Sequence, residues 1–201
     1  MREYEAVVFD MDGVIFDSEK KVVECWQVLA DKYGFTGIEE ACRACLGTTK
    51  EKSKEIMLQR YGEDFLYETY SAEASKLFHE RYDGGRLPKK TGIEKILQAL
   101  SQEGKKIALA SSTRRQTVES QLREAGLIGY FDKIICGDMV EKSKPEPDIY
   151  IRACKELGVL PEQAYAIEDS YNGIRAAHAG HLLPIMVPDL LPANEEMQEK
   201  A

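Results

Sequence analysis

The stretch AVVFDMDGVIFDSE, residues 6–19, places an apolar run directly before two aspartates that are separated by one residue. The run over 5–10 predicts a buried β-strand, which would deliver Asp10 and Asp12 together at its carboxyl end. Two neighbouring carboxylates repel each other unless a cation, a proton or a substrate compensates their charge. The stretch therefore indicates chemistry at a strand end, and it fits a simple strand-terminal turn less well.

Short apolar runs of the same form recur along the chain, and helical patterns that mostly end at glycines lie between them. The predicted strands are residues 5–10, 105–110, 133–136, 164–168 and 184–187. The predicted helices are residues 92–103, 114–125, 147–157 and 172–179. Strands that alternate with helices are typical of α/β proteins. We therefore expect a Rossmann-like parallel sheet with helices on both faces.

Residues 18–85 interrupt this alternation, because apolar side chains recur there at helical spacing without any strand pattern. We interpret this stretch as an all-helical cap domain that is inserted into an α/β core formed by residues 1–17 and 86–201. The segment DGGRLP, residues 83–88, is a candidate hinge between the two units. An ordinary surface loop explains that segment nearly as well.

The composition excludes several classes of function. The chain has 201 residues, of which 43% are hydrophobic and 31% charged, and no apolar run approaches the roughly 20 residues that span a bilayer. A net charge of −8 disfavours nonspecific binding to nucleic acid, because a phosphate backbone favours a basic surface. The charged N-terminus does not resemble a signal peptide, and we expect a cytoplasmic monomer with no membrane or nucleic-acid partner.

The five cysteines are scattered, which is typical of free thiols in a reducing compartment. Only the segment CRAC brings two of them, Cys42 and Cys45, to the spacing of metal ligands. The sequence contains no second such pair, and the segment has a helical pattern, so we expect these thiols to pack in the cap and not to bind zinc.

Three further segments carry reactive side chains near the carboxyl ends of predicted strands, where parallel sheets collect their ligands. The segment ALASST presents Ser111 near the start of a helix, where free backbone N–H groups attract anions or where a serine acts as a simple cap. The segment KSKPEPDIY offers Lys144, and AIEDSYNG supplies Glu168 and Asp169. Converging carboxylates favour a hard divalent cation such as Mg²⁺. With one lysine and one hydroxyl, such a centre suits phosphoryl transfer.

The segments DMDGVIFDSE, ASST, KSKPEPDIY and IEDSYNGI resemble, in this order, the four motifs of the haloacid dehalogenase superfamily. Within it they are most similar to the β-phosphoglucomutase-like phosphatase group, whose cap also follows the first motif. Each motif alone is weak, but four in order at strand ends are specific. The resemblance implies a Mg²⁺-dependent phosphatase that hydrolyses a small phosphorylated metabolite, such as a sugar phosphate, through an aspartyl-phosphate.

The resemblance also implies roles for individual residues. Asp10 would be the nucleophile and a metal ligand. Asp12 would be the general acid and base, and its backbone carbonyl would contact the metal. Ser111 would hydrogen-bond the transferring phosphoryl group, and Lys144 would offset its charge.

Two acidic residues from the fourth motif complete the predicted metal site. Asp169 would ligate Mg²⁺, and Glu168 would be either a further ligand or a structural hydrogen-bond partner. A calcium-binding EF-hand is a rival reading of the acidic first motif. Its spacing fails, because such a loop starting at Asp10 needs glycine at Ile15 and glutamate at Lys21.

Candidate substrate-binding residues lie in the second motif and in the cap. Ser112 and Arg114 follow the second strand. Lys50 comes after Thr48 and Thr49 at a predicted helix start, and it resembles the position at which sugar-phosphate mutases hold a second phosphate. A solvated charged surface explains Lys50 about as well.

A β-phosphoglucomutase-type phosphomutase is the main alternative function. The sequence departs from the mutase pattern, because that group has histidine where this chain has Val22, and lysine–asparagine where it has Arg114 and Arg115. A non-enzymatic phospho-receiver module is a weaker alternative, since such modules lack an inserted cap. After Val187 the sequence continues as a short acidic tail in place of the further strand and helix expected from the resemblance.

Overall fold

A computed structural model describes residues 3–46, 48 and 50–201 of the chain. It contains one five-stranded parallel sheet with the strand order β3-β2-β1-β4-β5. The strands are β1 (Ala6–Phe9), β2 (Lys106–Ser111), β3 (Lys133–Cys136), β4 (Ala164–Glu168) and β5 (Leu183–Met186). The predicted α/β fold class is confirmed, and all five strands lie within one residue of their predicted positions.

The central strand is apolar throughout because helices cover both of its faces. Alternate residues point to opposite sides, so Val7 and Phe9 join one hydrophobic cluster, whereas Ala6 and Val8 join the other. Every residue of β1 is buried. The strand therefore holds Asp10, the next residue, rigidly at the carboxyl edge of the sheet.

Four helices cover the faces of the sheet, each starting and ending within one residue of its predicted position. They are α5 (Ile93–Gln102), α6 (Arg115–Glu124), α7 (Asp148–Leu157) and α8 (Tyr171–Ala179). The helix α7 packs on β2 and β3 through fully buried side chains such as Ile149 and Tyr150. This packing brings Tyr150 beneath the carboxyl edge of the sheet.

Four earlier helices form the cap, which follows the first strand as predicted. They are α1 (Ser18–Tyr33), α2 (Ile38–Cys45), α3 (Lys50–Tyr61) and α4 (Tyr67–Tyr82). Their buried side chains form a hydrophobic cluster separate from the two at the sheet, and this cluster includes Trp26, Leu29 and Met57. The division of the chain at residues 17 and 86 stays our interpretation.

The two chain segments that join the cap to the sheet run side by side. The Asp17 N–H donates to the Pro88 carbonyl at 2.9 Å, and Lys90 Nζ lies 2.9 Å from Asp17 Oδ1. Lys90 also lies 2.7 Å from Asp189, a residue of the loop after β5, and Lys20 lies 2.8 Å from the same carboxylate. These ion pairs tie both connecting segments to the sheet.

The stretch after Val187 is more than an acidic tail. It ends in a short helix, α9 (Glu195–Lys200), whose Met197 is fully buried. Arg175 on α8 binds Glu196 at 2.5 Å. A helix of about one and a half turns thus packs on α8, where the resemblance led us to expect a further strand and helix.

Candidate active site

The reactive residues from all four motifs meet at the carboxyl edge of the sheet. Asp10 follows β1, Ser111 ends β2, and Glu168 ends β4. The strands β2 and β4 flank β1 on its two sides, so the strand order reverses at β1. A parallel sheet has its ligand site at such a reversal.

Lys144 is the centre of the polar contacts at this edge. Its Nζ donates to Asp10 Oδ1 at 2.6 Å, to Glu168 Oε1 at 2.6 Å and to the Ala110 carbonyl at 2.9 Å. Its side chain is only 7% exposed. All three ammonium protons therefore have partners, which is the condition under which a buried lysine keeps its charge.

The buried charges shift each other's pKa values. Burial raises the pKa of Asp10 well above its usual range, and the Lys144 ammonium opposes this rise. Burial alone would lower the pKa of Lys144, but the carboxylates of Asp10 and Glu168 outweigh it and raise that pKa. Lys144 is thus a permanent cation at physiological pH.

Both carboxylate oxygens of Asp12 are held by hydroxyl groups. Ser18 Oγ donates to Oδ1 at 2.6 Å, and Thr113 Oγ1 donates to Oδ2 at 3.0 Å. Ser18 is the first residue of the cap helix α1 and is buried. The cap therefore orients Asp12, a contact that we did not predict even though Ser18 lies within the first motif.

Glu168 is a fully buried acceptor. Its Oε1 accepts from Lys144 and, at 2.5 Å, from the Tyr150 hydroxyl, and its Oε2 accepts from Ser170 Oγ at 3.1 Å. A carboxylate has about four lone-pair positions. These three bonds occupy three of them, and the Ser170 N–H also donates to Oε2 over a long 3.5 Å, which favours the structural reading of Glu168 and leaves it at most one position for a metal. Tyr150 lies in the third motif, but its role in holding Glu168 was missed.

The site fits a magnesium ion in its donor chemistry and in its shape. Asp10, Glu168 and Asp169 each place a carboxylate oxygen within 4.8 Å of the others, and hard oxygen ligands are those that Mg²⁺ prefers. A Cβ at Gly13 would lie 2.0 Å from Asp169 Oδ2, and one at Gly173 would lie 1.9 Å from the Glu168 carboxyl carbon. Only glycine at these two positions leaves the carboxylates room.

Glu19 is a further acidic residue of the site that sequence reasoning missed. It is hydrogen-bonded to Asp169, and burial raises its pKa to about 8. Burial and the neighbouring Glu19 raise the pKa of Asp169 to about 9. The pair holds at least one proton at neutral pH, because two buried carboxylates in contact cannot both be ionised without a compensating cation.

A polar cavity of about 470 Å³ opens over these groups. Its lining includes Asp10, Asp12, Lys144 and Asp169, together with the cap residue Lys50. We call it the phosphate cavity. It brings residues of the cap and of the sheet edge to one space.

The predicted substrate-binding residues are placed differently from one another. Ser112 and Lys50 line the phosphate cavity, but Lys50 is also ion-paired with Glu68 at 3.0 Å and is largely exposed. Arg114 is exposed and is not among the described residues that line this cavity. Thr49, which we grouped with Lys50, lies outside the described residues.

Ser111 is fully buried, and its Oγ accepts the Thr113 N–H at 3.1 Å. Helix α6 begins only at Arg115, so Ser111 is not the cap of that helix. It is not among the described residues that line the phosphate cavity, although an accepting Oγ keeps its own proton for a further acceptor. Its proposed contact with the phosphoryl group stays a prediction.

The cysteines behave as packing residues. Cys42 lies in the hydrophobic cluster of the cap, where burial raises its thiol pKa to about 12, and Cys45 is partly buried beside it.

None of the helices that the structure describes is both long and apolar enough to cross a bilayer.

The sequence pattern of the haloacid dehalogenase-like hydrolases matches residues 7–187. Two curated relatives are similar over most of their length. A phosphorylated carbohydrates phosphatase from Thermotoga maritima is 32% identical over 86% of this chain and 80% of the relative. A beta-phosphoglucomutase from Bacillus subtilis is 31% identical over 91% of this chain and 83% of the relative.

A solved structure is similar to this chain to the same extent. CbbY from Rhodobacter sphaeroides, in complex with phosphate, is 31% identical and superposes with a TM-score of 0.72. The match covers 92% of this chain and 87% of that protein. The similarity therefore extends over the cap as well as the sheet.

Proposed function

Because this chain belongs to the haloacid dehalogenase-like hydrolase family, we propose that it is a Mg²⁺-dependent phosphatase that acts through an aspartyl-phosphate on Asp10. Its relatives are named as phosphatases and as a phosphomutase, and the chain is an enzyme of that kind. One observation carries the proposal beyond the family. The Asp10 carboxylate is held 2.6 Å from a buried ammonium, beside further carboxylates and beneath the cap.

The first half-reaction uses Asp10 and Asp12. A carboxylate oxygen of Asp10 attacks phosphorus, and the bond from phosphorus to the ester oxygen breaks. The electron pair of that bond goes to the ester oxygen, which takes a proton from Asp12 and leaves as an alcohol. Ser18 and Thr113 orient Asp12 for this transfer.

The second half-reaction releases phosphate. Asp12, now a carboxylate, removes a proton from water, whose oxygen attacks phosphorus. The bond between phosphorus and Asp10 breaks, and its electron pair returns to the Asp10 carboxylate. Asp12 has its proton again at the end of the cycle, so the enzyme is regenerated without any co-reactant.

Fixed charges stabilise both steps. Lys144 compensates negative charge beside Asp10, and Ser111 donates to a phosphoryl oxygen. Asp10 and Asp169 are the residues that would hold Mg²⁺, together with the Asp12 carbonyl and at most one lone pair of Glu168. When bound, the ion supplies positive charge that neutralises the phosphoryl oxygens.

We favour hydrolysis over a phosphomutase reaction. A mutase binds a second phosphate, which needs a cation at the leaving-group side of Asp12. Val22 occupies the position of the mutase histidine, and Lys50 already pairs with Glu68. Formation of glucose 6-phosphate from β-glucose 1-phosphate, with the bisphosphate supplied, would establish the mutase reaction instead.

The test is phosphate release from a panel of phosphate monoesters with Mg²⁺, using wild type, Asp10→Asn and the control Asp64→Asn. Asp64 is exposed in a cap loop. We expect turnover by wild type and the control, none by Asp10→Asn, and a phosphoryl adduct on Asp10 in mass spectra of the quenched wild type. Equal phosphate release by all three proteins would refute the proposal.

A cytoplasmic location and a monomeric state remain predictions.

A further inference from the structure

A second cavity, of about 520 Å³, adjoins the phosphate cavity at Asp12. Asp12 and Glu19 line both cavities. We call the second one the leaving-group cavity, because Asp12 stands at the boundary between the two. A general acid must touch the ester oxygen, so a phosphoryl group in one cavity places the alcohol in the other.

The walls of the leaving-group cavity come from the cap helices α1 to α4 and from α6. Apolar side chains predominate on the cap side: Val22, Val23, Trp26, Met57 and Phe78. No lysine or arginine is among the described residues that line it. Its volume is within the range of about 300–1,000 Å³ that is usual for small-molecule sites.

Several hydroxyl groups on the walls already have partners within the protein. Ser53 is hydrogen-bonded to Thr48 at 2.9 Å, and Ser71 is hydrogen-bonded to Tyr67. Thr113 donates to Asp12. A buried sugar hydroxyl would lose its water contacts here and find few free groups to replace them.

Gln121 on α6 supplies a buried acceptor without a partner. It lines the cavity, and its Oε1 is buried and accepts no hydrogen bond from any residue that the structure describes. A buried amide oxygen in that state is a free acceptor. It fits a ligand that carries one N–H or O–H donor on an otherwise apolar body.

We propose that the leaving-group cavity binds an alcohol with an apolar or aromatic ring and a single hydrogen-bond donor, and not a polyhydroxylated sugar. This inference rests on the proposed phosphatase function and specifies its substrate class. Val22 and Trp26 contact the ring, and Gln121 accepts from its donor. An aromatic ring fits such walls because it buries a large apolar area with little loss of conformational freedom.

The substrate class is tested with two esters of primary alcohols, benzyl phosphate and ribose 5-phosphate, so that their intrinsic reactivity is similar. Trp26 is the only tryptophan of the chain, and its fluorescence reports occupancy of the cavity. In Asp10→Asn with Mg²⁺, we expect benzyl phosphate to bind about tenfold more tightly than ribose 5-phosphate. Equal or tighter binding of ribose 5-phosphate overturns the inference.

Matched variants on α1 assign the effect to the cavity wall. Val22 and Val28 are 40% and 38% exposed, but only Val22 lines the cavity. We expect Val22→Asn to abolish the preference for benzyl phosphate, and Val28→Asn to retain it. A preference that survives Val22→Asn contradicts the assignment. Thermal melts show whether each variant folds. If Val22→Asn does not fold, Val22→Thr replaces it in the test, because threonine keeps the shape of the valine side chain.

The hydrogen bond to Gln121 has its own test. Relative to benzyl phosphate, 3-hydroxybenzyl phosphate adds one donor to the same ring. We expect it to bind about fivefold more tightly to the Asp10→Asn protein, and we expect Gln121→Met to remove that gain. If 3-hydroxybenzyl phosphate does not bind more tightly, or if it still does so in Gln121→Met, Gln121 does not accept a hydrogen bond from the ligand.

Acetyl phosphate separates failure of this inference from failure of the proposed function, because its leaving group is too small to need the cavity. If wild type hydrolyses acetyl phosphate but has equal kcat/KM for benzyl phosphate and ribose 5-phosphate, only the substrate class is wrong. If it hydrolyses none of the three with Mg²⁺, the phosphatase proposal itself fails.

Discussion

The Lys144 ammonium lies 2.6 Å from the Asp10 carboxylate, although 134 positions of sequence separate the two residues. The sheet brings them together, because β1 delivers Asp10 and the loop before α7 delivers Lys144 to the same edge. The contact also joins Glu168 and Tyr150 into one buried chain of hydrogen bonds. The predictions below test this chain and the acidic groups around it.

Replacing Lys144 with methionine removes the charge but keeps most of the volume. We expect a loss of kcat of about 100-fold or more, and destabilisation of about 3–5 kcal/mol, because Asp10 and Glu168 then lack their buried counter-charge. Activity assays and urea denaturation measure the two effects. Lys142→Met, at an exposed position of the same loop, is the control, and an equal effect in both variants would contradict the assignment.

Replacing Tyr150 with phenylalanine removes one donor from the buried Glu168 carboxylate. Hydrogen bonds to charged groups contribute about 1.5–3 kcal/mol, and we expect the free energy of unfolding to fall by about that amount. The Tyr171 hydroxyl makes a comparable bond of 2.7 Å to the Pro192 carbonyl, but on the exposed surface. Tyr171→Phe should therefore cost less than about 1 kcal/mol. Urea denaturation measures the free energy of unfolding of both variants. Comparable losses of this free energy would show that burial of Glu168 does not determine the loss.

Gly13→Ala tests the shape of the metal site. Its φ is +77°, and the added Cβ would lie 2.0 Å from Asp169 Oδ2, so we expect the carboxylate to move and Mg²⁺ affinity to fall by at least about tenfold. Gly34 has nearly the same φ, +78°, with no atom near the added Cβ. Gly34→Ala should lose only about 1–2 kcal/mol of stability from backbone strain. Calorimetric titration with Mg²⁺ compares the affinities of the two variants with that of wild type. Unchanged Mg²⁺ affinity in Gly13→Ala refutes the prediction.

The Glu19–Asp169 pair predicts how stability depends on pH and Mg²⁺. Their pKa values are about 8 and about 9 in the folded protein, against about 4 in the unfolded chain. Between these values the folded state keeps a proton that the unfolded state has lost. The contribution of the pair to the stability of the metal-free protein is therefore largest below about pH 4. The protein loses that contribution as the pH rises to about 9.

Thermal melts in EDTA should therefore show a Tm that falls from about pH 5.5 to about pH 9. Mg²⁺ replaces the proton, so its stabilising effect should grow with pH over the same window. Glu19→Gln removes one titrating group and should flatten the slope. A Tm that is constant or rises with pH in EDTA would show that the pair does not hold the proton.

The local elements could be predicted from the sequence. Runs such as AVVF must be buried on both faces, and helices with one apolar side must pack against them, so the positions of the five strands and of the four helices on the sheet follow from side-chain periodicity to within one residue. The acidic pair at Asp10 and Asp12 and the lysine before Pro145 are chemically unusual enough to be recognised as a site from the four motifs alone.

Tertiary structure decided what the periodicity could not encode. The strand order places β4 beside β1, and the packing around these strands brings Tyr150 to Glu168 and Glu19 to Asp169. Neither contact is local, because each joins residues from different elements, whereas Ser18 reaches Asp12 over only six positions. They depend on how the elements pack, whereas the identity of the reactive groups is a property of the residues themselves. The second cavity beside Asp12 likewise exists only because the cap lies over the sheet edge.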